Sequence, residues 1–396
     1  MKKSEYVYLD NAATTPMDPR VIEVITRHFR ETYGNSSSLH SIGQKAGQTL
    51  EQARKDIAEL INAERSDIIF TASGTEADNM AIKGVAFQNK KRGRHIITST
   101  IEHHAVENPC KYLEENGFSV SYLPVDANGL IELPALEKAI QEDTILISIM
   151  TANNEIGTIE PIKEIGKIAH ERDILFHTDA VQAFGKIPMD VNELHIDLLS
   201  ASAHKIYGPK GIGLLYMRNQ GERENGKKYI QPILHGGGHE KEMRPATVAV
   251  PLIAGFAEAV RLCHAEMDKE AHRQTKLRDK IINWILTHIE DSKLNGHPTR
   301  RLPNNVNMSF KYIEGESIVM DLDMEHIAVS TGSACSSKSL DPSHVLLAIG
   351  LDAIDAQGSM RATVGRFTTE EDIDYFLEVL PKTVHRLREM SPLKKS

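Results

Sequence analysis

At 396 residues the chain is longer than one ordinary domain and long enough for two packed cores. Hydrophobic residues make up 40% and charged residues 26%, the balance of a globular protein, and no apolar run approaches the roughly 20 residues of a membrane span. A formal net charge of -9 argues against a general nucleic-acid surface. Cys110, Cys263 and Cys335 are too few and too scattered for a disulfide framework or a Cys-rich metal site. Met1-Lys2-Lys3-Ser4-Glu5 leads straight into a strand with no secretory signal, so a cytoplasmic protein is expected.

From about Asp67 short apolar runs alternate with amphipathic ones. Strands are predicted at 68–71, 96–99, 119–123, 145–150, 174–177, 198–202 and 213–217. Helices are predicted at 76–89, 105–115, 133–140 and 162–172. That alternation implies βαβ units: an α/β fold with a mostly parallel sheet and helices on both faces. Residues 249 to about 289 read as one long helix, with Ile281, Ile282, Ile285, Leu286 and the lone Trp284 as a core stripe. Strands at 305–310 and 326–330 belong to a smaller α+β domain.

In such sheets ligands bind beyond the carboxyl ends of the strands, and several polar groups follow strand ends here. Lys205, in Ser202-Ala203-His204-Lys205, precedes a Gly-Pro turn; a lysine amine so placed can hold a carbonyl cofactor as a Schiff base. Asp179 ends another strand. A lysine and an acid on neighbouring strand ends suit pyridoxal phosphate (PLP), the acid keeping the ring nitrogen protonated. Gly74 and Thr75 open a helix whose free N–H groups form an anion site. His103 can stack on a ring, Asn154 and Gln182 can bond a ring oxygen, and Ser202 can bond a phosphate. Cys335 sits in Gly332-Ser333-Ala334-Cys335-Ser336-Ser337, a small, polar stretch expected to be an exposed loop carrying a travelling nucleophile. Arg361 has the planar fork that suits an amino-acid carboxylate.

Together these stretches resemble the cysteine desulfurases, in the NifS/IscS-like branch of the class-V, fold-type I PLP family. The likeness covers nearly the whole chain. It runs from Tyr8-Leu9-Asp10-Asn11-Ala12-Ala13-Thr14-Thr15 and Gly34-Asn35-Ser36-Ser37-Ser38-Leu39-His40 through Asn153-Asn154-Glu155-Ile156-Gly157 and the Lys205 stretch. It continues in His235-Gly236-Gly237-Gly238-His239-Glu240, the Cys335 stretch and Arg366-Phe367-Thr368-Thr369-Glu370-Glu371. Departures are Ser36 where relatives carry proline, and Pro245-Ala246 within Arg244-Pro245-Ala246-Thr247.

The resemblance implies a seven-stranded large PLP-binding domain (16–255), and a small α+β domain (1–15 and 256–396) carrying the cysteine loop. It implies Lys205 as the Schiff-base lysine, Asp179 as the pyridinium partner, His103 as stacking ring and proton shuttle, and Gln182 as the phenolate contact. Asn154 is implied as a further cofactor contact. Gly74, Thr75, Ser202 and His204 are implied as phosphate ligands, with Thr247 reaching in from the second subunit of a homodimer. Asn35 and Arg361 would clamp the carboxylate of L-cysteine. Cys335 would receive the sulfur as a persulfide, releasing L-alanine, for acceptors such as an iron–sulfur scaffold or a tRNA thiolation enzyme. No metal is implied beyond transient contact of Cys335 with a cluster. Another class-V reaction, such as selenocysteine lysis or transamination, and a non-catalytic sulfur-relay scaffold are the rival readings.

Overall fold

The computed structural model describes residues 6–223, 225–331 and 342–392. Strand β1 (Val7–Tyr8) is followed by α1 (Pro19–Glu31) and α2 (Ser41–Leu60). The alternating region comprises β2 (Ile68–Thr71), α3 (Gly74–Asn89), β3 (His95–Ser99), α4 (His104–Glu115), β4 (Ser119–Leu123) and α5 (Leu133–Ala139). It continues with β5 (Thr144–Ser148), α6 (Ile162–Glu171), β6 (Leu175–Asp179), β7 (Leu198–Ser202) and β8 (Gly213–Met217). Helix α7 (Val250–His288) leads to β9 (Ser292–Leu294), β10 (Asn305–Phe310), α8 (Gly315–Met324) and β11 (Ile327–Ala328). The remaining elements are α9 (His344–Ala348), α10 (Ala353–Gln357), β12 (Ser359–Thr363) and α11 (Glu370–Met390).

The large sheet has the order β2-β8-β7-β6-β5-β3-β4. Its pairs are parallel except those that β8 makes with β2 and β7. Most of its strands are buried along their whole length, which is why they read as continuous apolar runs rather than as alternating ones. Helices α3 and α4 cover one face; α2, α6 and the first half of α7 cover the other. Small residues allow the close approach: Gly84 of α3 has room for no side chain, since a Cβ would stand 2.7 Å from the carbonyl oxygen of Gln231.

Helix α7 spans 39 residues, about 58 Å at 1.5 Å per residue, and joins two cores. Its first half packs Ile253, Phe256 and Val260 under the large sheet. Its second half packs Leu277, Ile281, Ile282 and Ile285 against the three-stranded sheet β12-β10-β9. Trp284 is partly buried at the edge of that second core. Leu286 departs from the predicted stripe: it lies about 100° further round the helix than Ile285 and is 47% exposed. The strand predicted at 326–330 shortens to β11, which pairs in parallel with β1, while Leu9 enters the second core. Among the described residues no helix is long and apolar enough to cross a membrane.

One edge of the large sheet is closed by a buried ion pair. Arg54 of α2 donates to both carboxylate oxygens of Glu240, at 3.0 and 2.7 Å, and to the Ile68 carbonyl at 2.6 Å. Glu240 in turn accepts the outward Phe70 N–H of edge strand β2 at 2.7 Å, an N–H that an edge otherwise leaves unpaired. Replacing Glu240 by Ala strands a buried guanidinium and is expected to lower stability by about 3–5 kcal/mol. Urea unfolding of the variant and the parent measures it.

Candidate active site

The carboxyl ends of β2, β5, β6 and β7 converge on a cavity of about 290 Å³. Gly74, Thr75, His103, Asn154, Asp179, Gln182, Ser202, His204, Lys205 and Arg361 all line it. These ten come from segments far apart in the chain: nine end or follow strands of the large sheet, and Arg361 comes from the smaller one.

Lys205 lies on the short turn after β7. Its Nζ donates to the carbonyls of Ala12 and Ala13 at 2.6 and 2.8 Å, so the residues after β1 hold the amine at the cavity wall. Asp179 is the last residue of β6, 6% exposed, and accepts one backbone N–H, from Val181 at 2.9 Å. No cation stands within salt-bridge distance of it among the described residues. Burial therefore pushes its carboxyl up to about 6, only partly countered by the Val181 N–H and the charge of Lys205.

At the start of α3, Ser73 caps the helix, its Oγ taking the Glu76 N–H and its carbonyl the Ala77 N–H. The N–H groups of Gly74 and Thr75 remain at the positive end of the helix, facing the cavity. A Cβ on Gly74 would stand 2.6 Å from Cγ2 of Val181, so only glycine leaves this cradle open. Opposite, His103 caps α4, its Nδ1 accepting the Ala105 N–H at 3.0 Å. The ring proton therefore sits on Nε2. Burial, and then the charge of Lys205, push this imidazole down to about 4; it is neutral at ordinary pH. His204, bonded through Nδ1 to Thr14 Oγ1 at 3.1 Å, is likewise pushed down to about 4 by burial.

Arg361 reaches the cavity from β12 of the smaller sheet. Its Nη2 pairs with Asp10 at 2.9 Å and its Nη1 donates to the Asn154 carbonyl at 2.9 Å. Its Nε is buried without a partner. A guanidinium braced on two sides and lining the cavity suits a carboxylate.

Two expected residues do not join this group. Asn35 is exposed in the turn before α2, and its side-chain oxygen closes that turn by accepting from Ser37 N and Oγ at 3.0 and 2.9 Å. Thr247 is also exposed and away from the cavity; nearby Arg244 is tied to Glu76 of α3 at 2.8 Å. Cys335 lies outside the described residues. Cys110 and Cys263 are buried on α4 and α7, as expected of thiols acting as small hydrophobes.

Some contributors escaped the sequence reading. Asp10 and the Ala12 and Ala13 carbonyls lie inside a quoted motif, but a backbone acceptor has no sequence signature. Asp78 also lines the cavity, one turn into α3. It is buried, its Oδ1 lies 3.6 Å from His177 Nε2 with no hydrogen bond among the described residues, and burial, then the charge of Asp179, drive its carboxyl well up. An aspartate amid Ala and Met on a buried helix face was the available signal.

The chain belongs to the aminotransferase class-V family, whose model matches residues 7–376. A cysteine desulfurase IscS of Dictyoglomus turgidum is 54% identical over 388 residues, 98% of this chain and 97% of that protein. A cysteine desulfurase IscS of Methanosarcina thermophila is 52% identical over 391 residues, 99% of this chain and 95% of that protein. Among solved structures, a NifS-like protein superposes with TM-score 0.89 at 39% identity, covering 96% of this chain and all of that one. SspA in complex with cysteine matches with TM-score 0.80 at 38% identity, covering 91% and 99%. The family's cofactor is PLP, and the cavity fits it. The buried acid short of a cation, the lysine at the wall and the open helix N-terminus are each complementary to one part of that molecule.

Gly74→Ala is expected to force Val181 toward the cavity at a cost of about 1–3 kcal/mol, read as weaker PLP binding in an absorbance titration of the apoprotein. A second outcome concerns acid. His177 is fully buried between Ser148 and Ser200, and burial holds its imidazole down at about 3. Below the ordinary histidine value the unfolded chain takes up a proton that the folded state refuses, so stability is lost as pH falls. Between pH 6.5 and 5 the parent should lose about 2 kcal/mol more than His177→Gln, measured by urea unfolding at both pH values.

Proposed function

We propose that this chain is a PLP-dependent cysteine desulfurase that converts L-cysteine to L-alanine and moves the sulfur to Cys335. The observation that carries this is the convergence of Lys205, Asp179, His103, Gln182 and Arg361 on one cavity. Curated cysteine desulfurases about half identical over nearly the whole chain support it, as does a structural relative described in complex with cysteine.

In this reading Lys205 holds the aldehyde, Asp179 the ring nitrogen, and Gln182 and Asn154 the ring oxygen. Gly74, Thr75, Ser202 and His204 hold the phosphate, and neutral His103 stacks on the ring. When bound, the cofactor supplies an electron sink for charge developing at the α-carbon of the substrate. Burial raises the Asp179 carboxyl, and a cationic ring N–H held beside it would favour its charged form.

Arg361, braced by Asp10 and the Asn154 carbonyl, binds the substrate carboxylate. The Lys205 amine, once off the Ala12 and Ala13 carbonyls, accepts the α-proton. His103 donates through Nε2 and relays protons at the cavity mouth. The Cys335 thiolate then attacks the substrate sulfur. A sulfur–sulfur bond forms as the carbon–sulfur bond breaks, leaving a persulfide on Cys335 and, after proton return, alanine.

Residues 16–255 would act as the cofactor-holding unit, and residues 1–15 with 256–396 as the unit presenting Arg361 and Cys335. A homodimer is part of the reading, with Thr247 of each copy serving the phosphate site of the other. Its exposure and its distance from its own cavity support that placement. Asn35 would reach Arg361 only by giving up its turn with Ser37. Sulfur acceptors would be an iron–sulfur scaffold or a tRNA thiolation enzyme in the cytoplasm.

Incubation with L-cysteine followed by peptide mass spectrometry should place an adduct of about 32 Da, one sulfur atom, on Cys335. Cys335→Ser should lose it, and Lys205→Ala should slow alanine formation by at least about 10²–10⁴-fold. Alanine release by Cys335→Ser at the parental rate would rule out the persulfide step.

A further inference from the structure

We propose that Lys186, outside the cavity, is a positioning residue that fixes the Gln182 amide and thereby the N–H offered to the ring oxygen of the cofactor. The inference rests on the reading of Gln182 given above. Both residues lie in the helical turns that follow β6, where Phe184 N–H bonds the Ala180 carbonyl and Ile187 N–H bonds the Ala183 carbonyl. Four residues apart, their side chains meet on one face. Lys186 Nζ donates to Gln182 Oε1 at 3.1 Å, and Gln182 Nε2 donates to the Ala12 carbonyl at 2.9 Å.

As an ammonium Lys186 can only donate, so the atom it touches is the amide oxygen, the orientation that the Ala12 carbonyl, an acceptor only, also requires. The opposite end of the amide is then the NH₂ group. One of its hydrogens goes to Ala12, and the other remains for the cavity that Gln182 lines. The Ala12 carbonyl alone is a weaker anchor, because Lys205 Nζ bonds the same oxygen at 2.6 Å. Lys186 itself lines a separate small hollow with Cys263, Glu266, Glu270 and Arg366. Despite those acids it makes no salt bridge among the described residues; its partner is Gln182. Burial, with Lys205 adding repulsion, pushes its amine down to about 7, so an ammonium there is costly and a neutral, flexible glutamine partner is a poor recompense unless the amide orientation matters.

The test uses holoenzyme of Lys186→Met, which removes the donor, Lys186→Arg, which keeps one, Gln182→Ala and the Met/Ala double variant. Lys186→Met should weaken PLP binding about three- to tenfold, the size of one hydrogen bond. It should also shift the pH midpoint of the visible cofactor band in the same direction as Gln182→Ala. The double variant should match Gln182→Ala, and Lys186→Arg should lie near the parent. If Gln182→Ala shifts affinity and midpoint while Lys186→Met shifts neither, the relay is wrong and the role of Gln182 stands. If Gln182→Ala shifts neither, both fail. Additive effects in the double variant would assign Lys186 to the turn's stability and also overturn the relay. Lys186→Gln gives the same comparison should the methionine variant not fold.

Discussion

Asp179 is buried at the end of β6 with no salt-bridge partner among the described residues, and the rest of the site is arranged around that acid. A carboxylate in this position pays desolvation and recovers little from a single backbone N–H. Lys205 is close enough to lower its pKa but is itself committed to the Ala12 and Ala13 carbonyls. Asp179 would hold a cationic ring nitrogen and would be favoured in its charged form by it. Strength of binding and acidity of the ring thus follow from one buried side chain.

Polar side chains line the cavity alongside apolar ones, and two of them, His103 and His204, are kept neutral by burial. His103 is kept neutral by burial and by the Ala105 N–H on its Nδ1, so it can lie against an electron-poor ring without repelling it. Positive charge is supplied at the periphery instead. The α3 dipole and its free N–H groups sit on one side, and Arg361, reaching across from the smaller sheet, sits on the other. Arg361 is set in place by Asp10, carried just beyond β1, which pairs with β11. The N-terminal segment therefore serves both halves of the site: Asp10 steadies the carboxylate donor, and Ala12 and Ala13 steady the lysine.

Much of this was readable in advance because the large sheet is buried on both faces. Most of its strands are buried along their whole length, and β2, β4, β7, β8 and β10 fall at the residues their composition indicates. Strand β6 runs two residues further than its apolar stretch, taking in Thr178 and Asp179; a ladder with β7 holds polar residues that the pattern alone would end at. Helices α1 and α2 were not anticipated. In α1 only Val21 and Ile25 are buried, and α2 buries small residues such as Gly43, Ala46 and Ala53, so both owe their place to packing against α7 rather than to a strong apolar stripe. Asn35, expected in the carboxylate clamp, closes a turn with Ser37 in this structure and does not line the cavity.

Local chemistry alone determined which residue types were available: a lysine before a Gly-Pro turn, an acid closing an apolar strand, a glycine opening a helix, a cysteine among small polar neighbours. These follow from propensity and periodicity, which act over a few residues. Only the tertiary structure decided that ten of them share one cavity, that Asp179 has no salt-bridge partner among the described residues, that Arg361 is braced by Asp10 and the Asn154 carbonyl, and that Lys186 is bound to Gln182. Those properties depend on strand order and on what is packed within a few ångströms, and the free energy of a buried charge or an oriented amide is set by those neighbours, not by its place in the chain.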